Sequence, residues 1–196
     1  MTEYSRCFQP AIDKIRELLL SDEEILMVAI DGHSGAGKTT LADCLSLQFD
    51  ANIFHLDDFY LRKEMRTPER LQEAGGNVDY ERFREEVLIP VWYGDPVQYR
   101  PYDCRTLSFL KEAEKVLPPK RLNIMEGSYS SHPYFGNPYQ LRIFMDIDPA
   151  AQLENLKKRV PPEKLPDFTE KWIPMENAYF EKFDIKKDCL VIKQST

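Results

Sequence analysis

The chain has 196 residues, of which 42% are hydrophobic and 30% are charged, a composition typical of one folded domain. Its formal net charge of −7 argues against binding to a polyanionic nucleic acid. The N-terminus, MTEYSRCFQP, has no apolar signal-peptide core, and no segment has the roughly 18 apolar residues of a membrane span. We therefore expect a single cytoplasmic domain over residues 1–196, without a membrane or nucleic-acid partner.

The cysteines indicate the redox environment. Cys7, Cys44, Cys104 and Cys189 are widely spaced, with no C-x-x-C pair and no histidine at the spacing of a zinc site. This pattern favours free thiols in a reducing compartment over a disulfide framework or a structural zinc site.

A helix and a strand are predicted at the start of the chain. In FQPAIDKIRELLL, the apolar residues Ile12, Ile15, Leu18 and Leu19 recur at helical spacing, which predicts an amphipathic helix within residues 1–24. The run EILMVAID is short, apolar and partly β-branched. Such a run is typical of a strand that is buried on both faces.

A glycine-rich loop follows this strand and matches the phosphate-binding pattern G-x-x-x-x-G-K-[ST]. It reads GHSGAGKT over residues 32–39 and leads into the helical run TTLADCLSLQF. Glycines allow backbone N–H groups to face phosphate oxygens, and the N-terminus of the helix adds positive potential. Lys38 is expected to reach the β and γ phosphates, and Thr39 to bind Mg²⁺. The nucleotide-binding residues predicted here are Gly32, Ser34, Gly35, Ala36, Gly37, Lys38, Thr39 and Thr40.

Strands and helices alternate along the rest of the chain. The predicted strands are ANIFHLD, RLNIMEG, LRIFMDID and DCLVIK, and the predicted helices are DYERFREEVLIPVW, PAAQLENLKKR and DFTEKWIPMENAYFEKF. This order predicts an α/β fold of the P-loop NTPase type, with three layers and a mainly parallel sheet. Ligands bind beyond the carboxyl ends of such strands. The carboxylates predicted there are Asp31, Asp57, Asp58, Glu126, Asp146 and Asp148.

Two segments interrupt the alternation and are expected to cross the edge of the sheet on the substrate side. Residues 61–77 are charged and contain glycine, whereas residues 93–109 are rich in proline and aromatic residues. The second segment is compatible with a small hairpin that contacts substrate. The apolar faces cannot be divided between core and interface from the sequence, so a homo-oligomer is left open.

The motifs after the loop favour one class of phosphate-binding protein. A regulatory GTPase needs an N-K-x-D element, which the sequence lacks, and the strand ending in NIMEGSYS does not carry the Asp-Glu pair of a mechanical ATPase. In HLDDFY, a carboxylate at a strand end could accept a proton from a substrate hydroxyl opposite the γ-phosphate. This is the requirement of a small-molecule kinase. Taken alone, Asp57 and Asp58 are also explained as a helix cap or a turn pair.

The ordered set HLDDFY, GGNVDYERFREEVLIPV, YRPYD, IMEGSYS and MDID makes the chain resemble the uridine kinase branch of the P-loop kinases over about residues 26–193. Nicotinamide riboside kinases and phosphoribulokinases are related to this branch. The resemblance implies ATP- and Mg²⁺-dependent phosphorylation of the 5′-hydroxyl of uridine or cytidine. The alternatives are a kinase for nicotinamide riboside, pantothenate or a sugar, and a nucleotide-binding regulatory module without turnover.

The resemblance implies roles for the residues that would meet the substrate. Asp57 would be the general base, and Tyr60 would border the substrate. Asp79 would hold ribose hydroxyls, and Tyr102 would lie against the nucleobase. Each has a structural alternative: Tyr60 and Tyr102 could pack in the core, and Asp79 could cap a helix.

The resemblance also implies how the phosphates are handled. Glu126 would lie beside Mg²⁺ and the substrate, with Thr39 as the second metal ligand. A helical lid over residues 157–170 would carry Arg159, which would complete the catalytic set with Asp57 and Lys38. As an alternative, Arg159 could simply complement the dipole of its helix.

The chain departs from the pattern of this branch at two places. Its lid sequence, KRVPPEKLPDF, has prolines and few arginines, and no histidine follows YRPYD, where Leu107 or Ser108 falls. Both departures concern recognition of the nucleobase and leave the residues for phosphoryl transfer unchanged.

Overall fold

A computed structural model describes residues 7–110 and 112–193, so the start of the predicted 1–24 segment lies outside the described residues. The first half of the chain is built around the loop that follows the first strand. Its main elements are α1 (Gln9–Leu18), β1 (Leu26–Gly32), α2 (Lys38–Ser46), β2 (Ala51–His55), α3 (Pro68–Gln72), α4 (Tyr80–Phe83) and α5 (Ile89–Tyr93). A π-helical turn over Arg84–Leu88 joins α4 to α5, so that the predicted helix is continuous.

The second half begins with four short strands and then returns to the main sheet. The short strands are β3 (Val97–Tyr99), β4 (Tyr102–Asp103), β5 (Ser108–Phe109) and β6 (Lys115–Leu117). They are followed by β7 (Leu122–Glu126), β8 (Leu141–Asp146), α6 (Pro149–Arg159), α7 (Ile173–Lys182) and β9 (Leu190–Lys193). A π-helical turn over Asp167–Trp172 leads into α7.

The main sheet has the strand order β2-β7-β1-β8-β9, and all its neighbouring strands are parallel. Every residue of the central strand β1 is buried, as expected for a strand covered on both faces. The predicted parallel α/β architecture is confirmed. It brings the carboxyl ends of β1, β2 and β7 to one edge of the sheet.

Helices cover both faces of this sheet. On one face, α1 and α2 pack on the strands, and Ile15 and Leu45 are fully buried there. On the other face, Phe83 of α4 and Tyr179 of α7 are fully buried. These two apolar layers, with the sheet between them, form the three layers that the sequence predicts.

The short strands form two antiparallel ribbons outside the main sheet. Strand β4 pairs with β5, and β3 pairs with β6. The predicted segment 93–109 therefore includes a hairpin, but its pairing continues to Leu117. Strand β6 has only three residues, too few to show an alternating pattern in the sequence.

No helix within residues 7–110 and 112–193 is long and apolar enough to cross a membrane. The four cysteines are free thiols, each of them partly buried.

The chain passes very close to β8 where β1 ends. Gly32 has a φ of +132°, and a Cβ atom at this position would lie 2.2 Å from the carbonyl oxygen of Met145. The next residue, His33, donates its backbone N–H to that same oxygen at 3.2 Å. The first glycine of the phosphate-binding pattern is thus required by the backbone path.

We expect Gly32→Ala to lower the free energy of unfolding by more than about 3 kcal/mol, because it combines a strained φ with a backbone clash. Gly136→Ala is the matched control: Gly136 also has a positive φ, of +73°, but a Cβ atom added there would have no neighbouring atom within 4 Å. The control should lose only about 1–2 kcal/mol. Urea denaturation of both variants measures the difference, and equal losses would contradict the role of the Met145 contact.

Candidate functional site

The phosphate-binding loop joins β1 to α2 and leaves the N-terminus of α2 facing outward from the sheet edge. Gly35 and Gly37 have φ values of +79° and +84°, a conformation that glycine adopts at little cost. The first N–H groups of a helix have no partner within the helix, so those of α2 are suited to bind an anion. The Lys38 ammonium folds back over the loop and donates to the carbonyls of Gly32 (2.8 Å) and His33 (3.0 Å).

A cavity of about 530 Å³ opens in front of this loop, a volume typical of small-molecule sites. It lies at the carboxyl ends of β1, β2 and β7, with α6 and α7 on the opposite side. Of the residues predicted from the sequence, those lining it are Ser34, Gly35, Gly37, Lys38, Thr39, Thr40, Asp57, Tyr60, Glu126 and Arg159. Gly32 and Ala36, which support the loop, are not part of the lining, and Ala36 is fully buried.

Asp57 lies in a 3₁₀ turn, Leu56–Phe59, directly after β2. The hydroxyl of Tyr60 donates to its carboxylate at 3.2 Å. Although Asp57 opens into the cavity, the surrounding protein reduces its hydration, which raises the pKa of the carboxyl, and the charge of Glu126 raises it further. Lys38 and Arg159 oppose this shift. A carboxylate with a raised pKa is a stronger proton acceptor.

Glu126 ends β7, opposite His55 of β2. The imidazole Nδ1 of His55 lies 2.5 Å from a Glu126 carboxylate oxygen, and this hydrogen bond raises the pKa of His55. The hydroxyl of Thr39 lies 3.4 Å from the same oxygen and 3.5 Å from the other. His55 therefore fixes the orientation of Glu126 beside the phosphate-binding loop.

The side chains of Thr39 and Glu126 fit the requirements of Mg²⁺, which prefers oxygen ligands. In the described part of the chain, no three His, Cys, Asp or Glu side chains converge as a protein-built metal site. A magnesium ion held by Thr39 and Glu126 would therefore complete its coordination with phosphate oxygens and water, as is usual for this ion.

Helix α6 forms the opposite wall and is attached directly to the loop. The side-chain amides of Gln152 and Asn155 donate to the carbonyls of Ser34 (2.9 Å) and Gly35 (3.0 Å). At the end of this helix, Arg159 lines the cavity together with its neighbour Lys158. Two cations thus face the loop from the segment predicted as the lid.

The structure does not bring Asp79 and Tyr102 to the cavity. Asp79 is 1% exposed; it caps α4 through the N–H of Arg82 and accepts a hydrogen bond from Arg62 Nε at 3.0 Å. The buried hydroxyl of Tyr102 accepts from the backbone N–H of Lys63 at 3.2 Å. Both residues have the structural contacts that the sequence also allowed, and their roles toward a substrate stay predictions.

Two other strand-end carboxylates have partners within the fold. Asp58 accepts hydrogen bonds from Lys115 at 2.7 Å and from the Tyr99 hydroxyl at 2.9 Å. Asp148 caps α6 through the N–H of Ala150. Neither residue belongs to the lining of the cavity.

Asp31 is fully buried at the end of β1. Its carboxylate accepts from the N–H groups of Gly32 (2.7 Å), Tyr129 (3.2 Å) and Ser131 (2.9 Å), and from the hydroxyl of Tyr179 (2.9 Å). Burial raises its pKa, and the hydrogen bonds from Ser131, Gly32 and Tyr179 oppose the rise. The carboxylate joins three segments that surround the cavity.

Glu176 and Asn77 are among the cavity residues that were not predicted from the sequence. Glu176, in α7, is 3% exposed; it accepts from Ser34 N at 3.0 Å, from Ser34 Oγ at 2.5 Å and from Ser128 Oγ at 2.7 Å. Asn77 is buried and lines the same cavity. Glu176 lies in a helical run with several other charged residues, and nothing in the sequence distinguishes it from them. Asn77, in contrast, lies in the GGNVDY motif, two positions before Asp79.

No protein-family model matches the chain. In sequence, it is 25% identical over 185 residues to uridine-cytidine kinase C of Dictyostelium discoideum, an alignment that covers 87% of this chain and 39% of that protein. The chain therefore spans about two fifths of the length of this relative.

The fold is similar to those of several solved structures. A possible uridine kinase of Bacillus stearothermophilus superposes with a TM-score of 0.72 at 19% identity, over 97% of this chain and 100% of that one. A candidate fructose transport system kinase of Silicibacter sp. TM1040 gives 0.65 at 20% identity, with complete coverage of both chains. The chain thus has the fold of the P-loop kinases, and its sequence resembles the uridine kinase-like branch of these enzymes.

Proposed function

We propose that this protein is a kinase that transfers the γ-phosphoryl group of ATP, with Mg²⁺, to a hydroxyl group of a small molecule. The proposal is based on one observation: the phosphate-binding loop, the carboxylate of Asp57 and the cations of the lid line a single cavity. Positioning and charge neutralisation supply most of the catalysis in phosphoryl transfer. The cavity contains the groups for both.

Each residue has a defined part in this reaction. The N–H groups at the start of α2 hold the phosphates, and Lys38 exchanges its carbonyl partners for phosphate oxygens. Thr39 and Glu126 would hold Mg²⁺, which, when bound, neutralises charge on the phosphates. As the acceptor oxygen bonds to phosphorus, its proton passes to the carboxylate of Asp57, and the bond between the γ-phosphorus and ADP breaks. Arg159 balances the charge on the transferring group from the lid.

For the acceptor, we propose the 5′-hydroxyl of uridine or cytidine. The order of the sequence motifs and the 25% identity to a protein named uridine-cytidine kinase support this choice. The rings of Tyr60 and Trp172 face the cavity with their centroids 6.4 Å apart, and they offer an aromatic surface to a base. A sugar is the second candidate, because Asp79 and Tyr102 lie outside the cavity and leave the expected ribose and base contacts unmade.

We expect Asp57→Asn to lower kcat by about a hundredfold or more, the usual cost of losing a general base, while ATP still binds. The matched control is Asp58→Asn, because Asp58 is adjacent in sequence but bonds to Lys115 and Tyr99 outside the cavity. ADP release measures turnover, and calorimetric titration measures the binding of ATP. Near-normal turnover of Asp57→Asn would remove this residue from its role.

The hydrogen bond from the Tyr60 hydroxyl to Asp57 predicts how the activity depends on pH. This hydrogen bond lowers the pKa of Asp57, so Tyr60→Phe should raise that pKa. Asp57 can accept a proton only when its carboxylate is deprotonated. As the solution is acidified, the activity of Tyr60→Phe should therefore fall at a higher pH than that of the unmodified protein. The measurement is the acidic limb of the profile of kcat/KM against pH, with Tyr134→Phe as a control for a tyrosine outside the cavity lining. If the acidic limb is unchanged or moves to lower pH, the proposed effect of this hydrogen bond on the base Asp57 is contradicted.

The acceptor is tested by ADP release with ATP, Mg²⁺ and a panel of uridine, cytidine, nicotinamide riboside, pantothenate and fructose. We expect turnover with uridine and cytidine, and its loss when EDTA removes the metal. Turnover of another alcohol, with none for the two nucleosides, would overturn the nucleoside assignment and leave the kinase proposal standing. Binding of ATP with no turnover of any acceptor would instead favour a regulatory module.

A further inference from the structure

Asn77 has a buried amide group with no hydrogen-bonding partner. The residue is 5% exposed and lines the cavity. Within the described residues, neither its amide nitrogen nor its amide oxygen makes a hydrogen bond; the Tyr129 hydroxyl is near, but without adequate geometry. Buried polar groups are nearly always paired, so an unpaired amide that faces a cavity points to a ligand that pairs with it.

The backbone fixes Asn77 beside the proposed base. Its carbonyl accepts from the N–H of Leu61 at 2.9 Å, and the N–H of Asp79 donates to the carbonyl of Phe59 at 2.8 Å. These bonds pair the residues around Asn77 with the segment that directly follows Asp57. The backbone of Asn77 is therefore fixed next to the segment that follows Asp57, and both residues line the cavity.

Glu176 is a second polar group on the cavity wall that the proposed phosphoryl transfer does not use. Three hydrogen bonds from Ser34 and Ser128 hold its carboxylate. A carboxylate offers about four lone-pair positions, so one acceptor position is left for a ligand. Glu176 lines the same cavity as Asp57, Tyr60 and Asn77, so its negative charge acts within the space that would hold the acceptor.

Resting on the proposed kinase function, we propose that Asn77 and Glu176 form the acceptor subsite and select an uncharged or cationic polyhydroxy molecule over an anionic one. The Asn77 amide would pair with a neighbouring donor and acceptor of the ligand, such as two hydroxyls or a carboxamide. The last acceptor position of Glu176 would take a ligand hydroxyl.

The selection against anions follows from the charges on the cavity wall. In the described part of the chain, the lysines and arginine that line the cavity are Lys38, Lys158 and Arg159, which belong to the loop and the lid, where the phosphates of ATP would bind. A carboxylate on the acceptor would therefore meet Glu176 without compensation, in a site where water screens charge poorly. Uridine, nicotinamide riboside and fructose carry no negative charge and are compatible with this selection, whereas pantothenate carries a carboxylate and is not.

Binding can be measured without turnover through Trp172, which lines the cavity. The chain has two tryptophans, so Trp92→Phe leaves Trp172 as the sole tryptophan reporter. In this background we expect at least one of uridine, cytidine, nicotinamide riboside and fructose to bind about tenfold or more tightly than pantothenate. Asn77→Ala should weaken that binding about tenfold, whereas Asn177→Ala, an exposed position on α7, should not. Equal affinity for pantothenate, no response to any of the four, or no effect of Asn77→Ala overturns the proposal.

Charge selection is tested with Glu176→Gln, whose matched control is the exposed Glu181→Gln on the same helix. We expect the preference for the uncharged acceptor over pantothenate to fall about tenfold. If Glu176 had only a structural role, Glu176→Gln would weaken the binding of both acceptors and of ATP to the same extent. An unchanged preference for the uncharged acceptor would overturn the proposal. If Glu176→Gln does not fold, Asn77→Asp tests the same rule, because the added charge should increase the preference for nicotinamide riboside over uridine.

These measurements separate the two proposals. The expected binding pattern without turnover of any acceptor contradicts the kinase function alone. Turnover that proceeds with the same acceptor preference in Glu176→Gln and Asn77→Asp contradicts the subsite alone.

Discussion

The buried carboxylate of Asp31 is the contact on which the geometry of the cavity depends. It accepts hydrogen bonds from the start of the phosphate-binding loop, from the two residues Tyr129 and Ser131 after β7, and from Tyr179 of α7. Only an acceptor can satisfy these donors together, and an unsatisfied buried donor is costly. The loop, the wall beside Glu126 and the helix that carries Glu176 are therefore held at one point, the end of the central strand.

The parts of the site that sequence reasoning predicted are those fixed by local patterns and by sheet topology. The loop is contiguous in sequence, and it lies between an apolar strand and a helix that each show their periodicity. Asp57 and Glu126 are far apart in the chain but follow strands β2 and β7, which are neighbours in the sheet. A parallel sheet places such strand ends side by side, so the order of elements was sufficient to bring these residues together.

The acceptor side could not be predicted in the same way, because long-range contacts decide it. Glu176 reaches Ser34 across 142 residues, and the docking of α7 that permits this contact has no local signature. Asp79 and Asn77 are two residues apart, yet Asp79 is turned into the protein by Arg62 and the cap of α4. Asn77 faces the cavity instead. Motif order identified a segment that lines the cavity, whereas the backbone pairing of residues 59–61 with 77–79 determined which of its side chains lies there.

Three carboxylates, those of Asp57, Glu126 and Glu176, line the cavity. Their mutual repulsion works against folding, and acidic groups brought together at such a cost are typical of functional sites. The charge of Glu126 contributes to the raised pKa of Asp57, so the cluster makes this carboxylate more basic. The cations of the loop and lid, Lys38, Lys158 and Arg159, line the same cavity. Cations that would hold the phosphates, beside a carboxylate that would take up a proton, suit a reaction in which an anionic phosphoryl group moves to an acceptor hydroxyl.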